Sequence, residues 1–208
     1  MTGSSFPDAA ATWNKRFEGE QYLFGRDPNR YLLAQAAQLT PGGRVLCVAD
    51  GEGRNSVWLA QQGMQVDAFD ISEAGVSKAR RLAADAGVGV AYDVADCDHW
   101  PWPVEAYDAV VAIFVQFADP AMRARMFQRI VDGLKPGGTL ILQGYTPRQL
   151  DYRTGGPPLL EHLYTEPMLR EAFAALEILE LRDYEAEVAE GSGHRGWSAL
   201  IGLVARKG

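Results

Sequence analysis

The feature that most constrains this chain is an alternation. Seven strand-like apolar runs are spaced along it: "VLCVA", "MQVDAFD", "VGVAYD", "YDAVVAIFV", "TLILQGY", "LEILELRDYEAEV" and "SALIGLVARKG". Helix-like segments separate the first five, as where Met122, Met126, Ile130 and Leu134 recur at helical spacing. Strand–helix alternation implies a mostly parallel, twisted α/β sheet with helices on both faces. The fourth run is nearly all apolar, as expected of a strand covered on both faces. No helix separates the last two runs, which implies an antiparallel hairpin-like pair. With 208 residues, 47% of them hydrophobic, the chain can bury one good core and not comfortably two. A single domain over 1–208 is expected.

Local signals refine this outline. In "RDPNRYLLAQAAQL", Asp27 suits an N-cap and Pro28 the first helical position. Ser72 caps a helix through Ala79, Leu82, Ala83 and Ala86, stopped by Gly87; Thr165 caps the last helix. Residues 1–26 form an arm. Its "WNKRFEGEQYLFG" is too aromatic for a disordered tail, so the arm is expected to be ordered over the cleft. The 145–164 loop, "YTPRQLDYRTGGPPLLEHLY", has the Tyr, Arg and hinge-like Gly of a substrate lid.

Charge and cysteine usage exclude some partners. Net charge is −7, a poor match to a phosphate backbone or an anionic membrane, so neither nucleic acid nor membrane is expected. Cys47 and Cys97 show no metal-ligand spacing, and no metal is expected. No leader pattern or span-length apolar run is visible. A cytoplasmic monomer or homodimer is the expectation.

The first strand runs into a Gly-rich turn, "ADGEGRNS". It lacks the Lys of a P-loop, and Ser56 stands where a dinucleotide fingerprint has its third Gly. Asp50 and Glu52 also occupy the positions a pyrophosphate would need, and like charges in a dry site cost several kcal/mol. Yet Asp70 follows Gly51 by 19 positions at the end of the second strand, the spacing of an acidic ribose ligand. A ribose, no phosphates and a positive centre describe S-adenosylmethionine. Asp50 and Glu52 then favour its amine.

At this point the chain resembles the class I S-adenosylmethionine-dependent methyltransferases. The turn, "VDAFDIS", "YDAVVAIF", "LKPGGTLIL" and the antiparallel end carry the likeness. It implies a Rossmann-like seven-stranded sheet with S-adenosylhomocysteine as product. "GEGRNSVWLAQQGMQVDAFD" and "GHRGWSALIGLVARKG" are similar to the tellurite-resistance (TehB-like) methyltransferases, which implies thiol or chalcogen methylation. Two positions depart from the family's usual opening: Cys47 stands at its acid and Ala49 at its first Gly. Either Asp50 or Glu52 is expected to replace that acid.

The site expected from these readings is as follows. Ala49, Gly51, Gly53 and Asn55 form the turn around the cofactor, with Asp50 or Glu52 on its ammonium. Asp70, followed by Ile71, accepts the ribose hydroxyls. Asp93 with the Val94 backbone meets the adenine amino edge, Asp96 being the rival. Ala112 and Ile113 line the methionine side, while Phe24 and Gly25 close the arm over it. Tyr22, Gln116 and Tyr145 are placed near the substrate. His194 and Arg195 serve as base or positive partner for a small-molecule acceptor. An NAD(P)-dependent oxidoreductase and a non-catalytic S-adenosylmethionine- or adenosine-binding module remain open alternatives.

Overall fold

The computed structural model describes residues 8–208, so the first seven residues of the arm lie outside the described chain. Seven strands form one sheet in the order β3-β2-β1-β4-β5-β7-β6. They are β1 (Arg44–Val48), β2 (Gln65–Asp70), β3 (Ala91–Val94), β4 (Tyr107–Ile113), β5 (Leu134–Tyr145), β6 (Leu176–Glu190) and β7 (His194–Lys207). The first five strands pair in parallel; β7 runs antiparallel to β5 and to β6. The mixed Rossmann-like sheet expected from the sequence is therefore present. Strand order reverses between β1 and β4, and a ligand crevice opens at the carboxyl ends of strands at such a point.

The strands sort their residues to two faces with a period of two. Leu46, Val48, Val110 and Ala112 enter one apolar cluster, which α5 (Pro120–Gly133) covers with Met122, Met126, Phe127 and Ile130. Val45, Cys47, Ala109 and Val111 enter the other. Each fully buried aliphatic or aromatic side chain contributes about 1.5–3 kcal/mol, so these two layers supply most of the fold's driving force.

Helix starts follow side-chain oxygens. Ser72 Oγ accepts from Gly75 N at 3.0 Å to start α4 (Glu73–Asp85). Asp119 caps α5 through Met122 N at 2.8 Å, and Thr165 caps α7 (Glu166–Ala172). Such caps contribute about 1 kcal/mol each. The expected cap at Asp27 is displaced by two residues. Asn29 takes that role for α2 (Arg30–Ala34), its Oδ1 accepting from Leu32 N at 3.0 Å. Asn29 wins because its amide nitrogen is held at the same time, by Gln143 Oε1 at 2.7 Å and Glu190 Oε1 at 3.0 Å.

The arm is ordered. It begins with α1 (Ala9–Arg16), capped by Asp8, and continues irregularly to Gly25. Main-chain groups pin it. Lys78 of α4 donates to Phe17 O at 3.3 Å and Gln21 O at 2.5 Å, while Leu23 O accepts from Ser192 N and Gly193 N at 2.9 Å. No helix among the described residues is long and apolar enough to cross a membrane.

Candidate active site

Two backbone features aim the crevice. Ala49, just past β1, and Phe114, just past β4, hold φ of +48° and +57°. For residues with a Cβ this left-handed backbone costs on the order of 1–3 kcal/mol, and it concentrates at functional sites. The two kinks turn the chain over the strand ends, and between them lies a cleft of about 980 Å³, counting the part open to solvent.

Of the residues expected from sequence, Phe24, Ala49, Asp50, Gly51, Asn55, Asp70, Ile71, Ile113 and His194 line the cleft. Asp70 anchors its floor. Oδ2 accepts from Gly51 N at 2.9 Å and Oδ1 from Ser72 N at 2.8 Å, so one carboxylate fixes both the turn and the start of α4. Burial pushes its pKa up to about 6 against the pull of those two N–H groups. Asp50 hydrogen-bonds through Oδ2 to Ser56, whose hydroxyl also meets Tyr92 Oη at 2.8 Å. Asp50 Oδ1 is buried with no hydrogen-bond partner. Burial raises this carboxyl to about 7, with Ser56 opposing and Asp70 adding to the rise.

Glu52 is a correction. Its Oε2 accepts from Leu23 N at 2.7 Å and Phe24 N at 3.4 Å, and its Oε1 pairs with Lys78 Nζ at 2.5 Å. Both side chains are 2% exposed. Glu52 thus holds the arm and contributes nothing to the cleft wall. Of the two acids in the turn, Asp50 alone lines the cleft.

Other expected residues also move out of the site. Gly53 caps α3 (Arg54–Gln61) at φ +90°, where a Cβ would sit 2.7 Å from Ala79 Cβ. Gly25 packs against Gly191 at the β6–β7 tip. Asp93 is exposed and accepts from Trp100 Nε1 at 3.0 Å; Val94 is 48% exposed; Asp96 lines the cleft instead. Ala112 points into the opposite layer, and its neighbours Val111 and Ile113 form the wall.

Tyr22 lies on α4, its hydroxyl donating to Lys78 O at 3.2 Å. Gln116 is a buried clamp between Tyr145 and His162, bonded to Tyr145 N at 2.6 Å and Tyr145 O at 2.9 Å. Arg195, next to His194 on β7, projects to the exposed side. The 145–164 segment supplies no wall of the cleft; its Gly155 and Gly156 cover the back of Tyr145 and His194.

His194 sits among rings. Its centroid is 4.4 Å from Phe24, 4.6 Å from Phe114 and 5.8 Å from Tyr145. Tyr145 stacks behind Phe114 at 4.7 Å, and its hydroxyl is buried without a partner. His194 Nδ1 is likewise unpartnered, 4.0 Å from Glu190 Oε2. Burial lowers the imidazole pKa, with Glu190 opposing. Glu190 bonds Arg54 at 2.7 Å as well as Asn29, and both charged side chains are under 10% exposed. Although its own burial opposes ionisation, His194 and Arg54 hold Glu190 down to about 2.

Arg54, Glu190 and the arm rings Trp13 and Phe17, which also line the cleft, were not among the expected residues. The aromatic content of the arm was the available signal for the rings. Arg54 stands inside the quoted turn, but its partner lies 136 residues away.

With this geometry in place, comparison is informative. Residues 45–138 match a family described as a methyltransferase domain. An uncharacterised protein of Mycobacterium tuberculosis is 32% identical over 116 residues, covering 55% of this chain and 42% of its own length. The chain thus spans less than half of the curated relatives it first matches. A probable thiol methyltransferase 2 of Arabidopsis thaliana is 28% identical over 145 residues, covering 67% of this chain and 62% of its own. The crystal structure of TehB from Haemophilus influenzae superposes with a TM-score of 0.71 at 19% identity, covering 96% of this chain and 67% of that one. The last comparison establishes the shared fold.

Proposed function

We propose that this chain, which has the class I methyltransferase fold and carries a methyltransferase domain over residues 45–138, is an S-adenosylmethionine-dependent methyltransferase of a small acceptor. The observation that carries the reading is Asp50. An acid at the strand switch point, with one buried oxygen lacking any partner, suits a ligand that brings an ammonium. It would repel a pyrophosphate, which weighs against the oxidoreductase alternative.

The remaining residues fit the same ligand. Asp70 spends one lone pair of each oxygen on a backbone N–H and keeps others for ribose hydroxyls. Ile71 and Phe69 give the adenosine end an apolar floor, with Asp96 at its edge. Val111, Ile113 and Asn55 flank the methionine end. When bound, S-adenosylmethionine supplies an electrophilic methyl on a sulfonium. The chain's own contribution is to hold an acceptor behind that methyl and exclude water. Trp13, Phe17 and Phe24 cover the cleft, and aromatic faces near a sulfonium contribute about 0.5–2 kcal/mol. His194 takes the acceptor's proton, with the Glu190 carboxylate 4.0 Å from its Nδ1.

The acceptor is a small thiol or reduced chalcogen. A narrow cleft roofed by the arm supports a small molecule, and the thiol methyltransferase among the relatives supports sulfur. The test is calorimetry with S-adenosylmethionine, S-adenosylhomocysteine and NADH, followed by release of S-adenosylhomocysteine with an acceptor panel. Binding of the first two and not the third is the expected result; binding of NADH alone overturns the reading.

A further inference from the structure

The acceptor end of the cleft differs from the cofactor end in charge. Its walls are the rings of Phe24, Phe114 and His194. Among the described residues Arg54 is the one permanently cationic side chain lining the cleft, and its guanidinium is already matched by Glu190 at 2.7 Å. Asp50, Asp70 and Asp96 line the remainder. From this arrangement we propose that the site accepts an uncharged, apolar thiol and rejects chalcogen oxyanions such as tellurite or selenite. The proposal rests on the methyltransferase reading above and narrows its substrate class.

The physical argument is desolvation. An oxyanion entering between the rings loses its water and meets no unpaired cation in the cleft lining, since Arg16, whose charge reaches His194, lies over Trp13 outside it; burying an unpaired ion is strongly unfavourable. Removing Glu190 from Arg54 to make room for it would strand a buried carboxylate instead. An uncharged thiol carries no such cost, and its hydrocarbon gains from the aromatic walls. The thiol need not arrive ionised, because the His194 imidazole is available beside it.

The proton balance closes within the same group. The acceptor's S–H proton passes to the imidazole, and Glu190, 4.0 Å from Nδ1, closes on the imidazolium. The sulfur keeps the electron pair that forms the new carbon–sulfur bond. The bond that breaks is the one between methyl and sulfonium, whose pair remains on S-adenosylhomocysteine. The proton leaves His194 to solvent when the thioether departs.

The test uses the full chain loaded with S-adenosylhomocysteine, titrated separately with phenylmethanethiol, mercaptoacetate and selenite at pH 7. Phenylmethanethiol is uncharged there, since its thiol titrates near or above the ordinary 8.5 or so. Mercaptoacetate adds one carboxylate to the same nucleophile. Phenylmethanethiol is expected to bind at least ten-fold more tightly than either anion. Glu190→Gln frees Arg54 and should narrow that ratio at least three-fold, with the unfolding midpoint recorded beside it. If that variant does not fold, the wild-type ratio decides alone. Selenite or mercaptoacetate binding as tightly as phenylmethanethiol overturns the proposal, as does no binding by any of the three. A failure at the loading step, with no affinity for S-adenosylhomocysteine, overturns the methyltransferase reading itself.

Discussion

Asp50 makes the binding of a cationic adenosine ligand a proton-release reaction. In the free protein its carboxyl titrates at about 7, raised by burial. A bound ammonium favours the carboxylate, so the pKa falls and the proton leaves. Affinity then scales with the ionised fraction of Asp50. At pH 6 that fraction is roughly one in eleven, so apparent affinity is about ten-fold below its plateau, or about 1.4 kcal/mol. The ligand's own α-amine, with a pKa of about 8, stays protonated through this window. Asp70, at about 6, adds a smaller effect below pH 6. The groups facing Asp50 are Ser56, Tyr92 through Ser56, Asp70 and Arg54, and none of the last three bonds it directly. The assay is calorimetry with S-adenosylhomocysteine at pH 6.5 in buffers of different ionisation enthalpy. About 0.8 of a proton should be released per ligand bound, and Asp50→Asn should abolish that release along with most of the affinity. Affinity that is flat from pH 5.5 to 7.5, with heats independent of buffer, refutes the reasoning.

Other outcomes follow from the same structure. Because the folded pKa of Asp50 lies above its unfolded value, its contribution is fully present below pH 4 and is lost as pH rises through 7. Asp50→Asn should therefore raise the ligand-free melting temperature at pH 8, by an amount bounded by about 4 kcal/mol, read by differential scanning calorimetry. Lys78→Met leaves Glu52 charged and buried, so urea unfolding should show a loss of about 3–5 kcal/mol. Asp93→Ala should leave affinity for S-adenosylhomocysteine within two-fold, while Asp96→Ala weakens it; the reverse order would restore Asp93 to the site. Gly53→Ala, at φ +90° and against Ala79, should lower stability by about 1–3 kcal/mol in the same unfolding assay.

Much of the fold is legible because it is periodic. The seven runs, the missing helix before the last one and the caps at Ser72 and Thr165 are local signals, and local physics fixes them. The cofactor end is legible because the interval from Gly51 to Asp70 is set by one strand–helix–strand unit. Other positions depend on distant partners. Glu52 reads as a ligand group until Lys78, inside another helix, is seen to neutralise it. Ala112 and Ile113 could not be told apart in face, because a strand apolar on both sides carries no alternation. β3 extends to Val94, one residue past Asp93, so the following loop carries Asp96 into the cleft. Arg195 lost its expected place to the same period of two that keeps His194 inside.

The anchorage of the arm has an evolutionary consequence. Beside the side-chain bonds of Asn14 and Tyr22 to Ser72 and α4, it is held by carbonyls of Phe17, Gln21 and Leu23 and by amides of Leu23 and Phe24. Those atoms belong to every residue type, apart from the amide that proline lacks. That part of the attachment is therefore indifferent to the side chains at Trp13 and Phe24, whereas Phe17 is a buried core ring. Drift at Trp13 and Phe24 would reshape the roof of the cleft, while its floor, built from Asp50, Gly51 and Asp70, stays untouched.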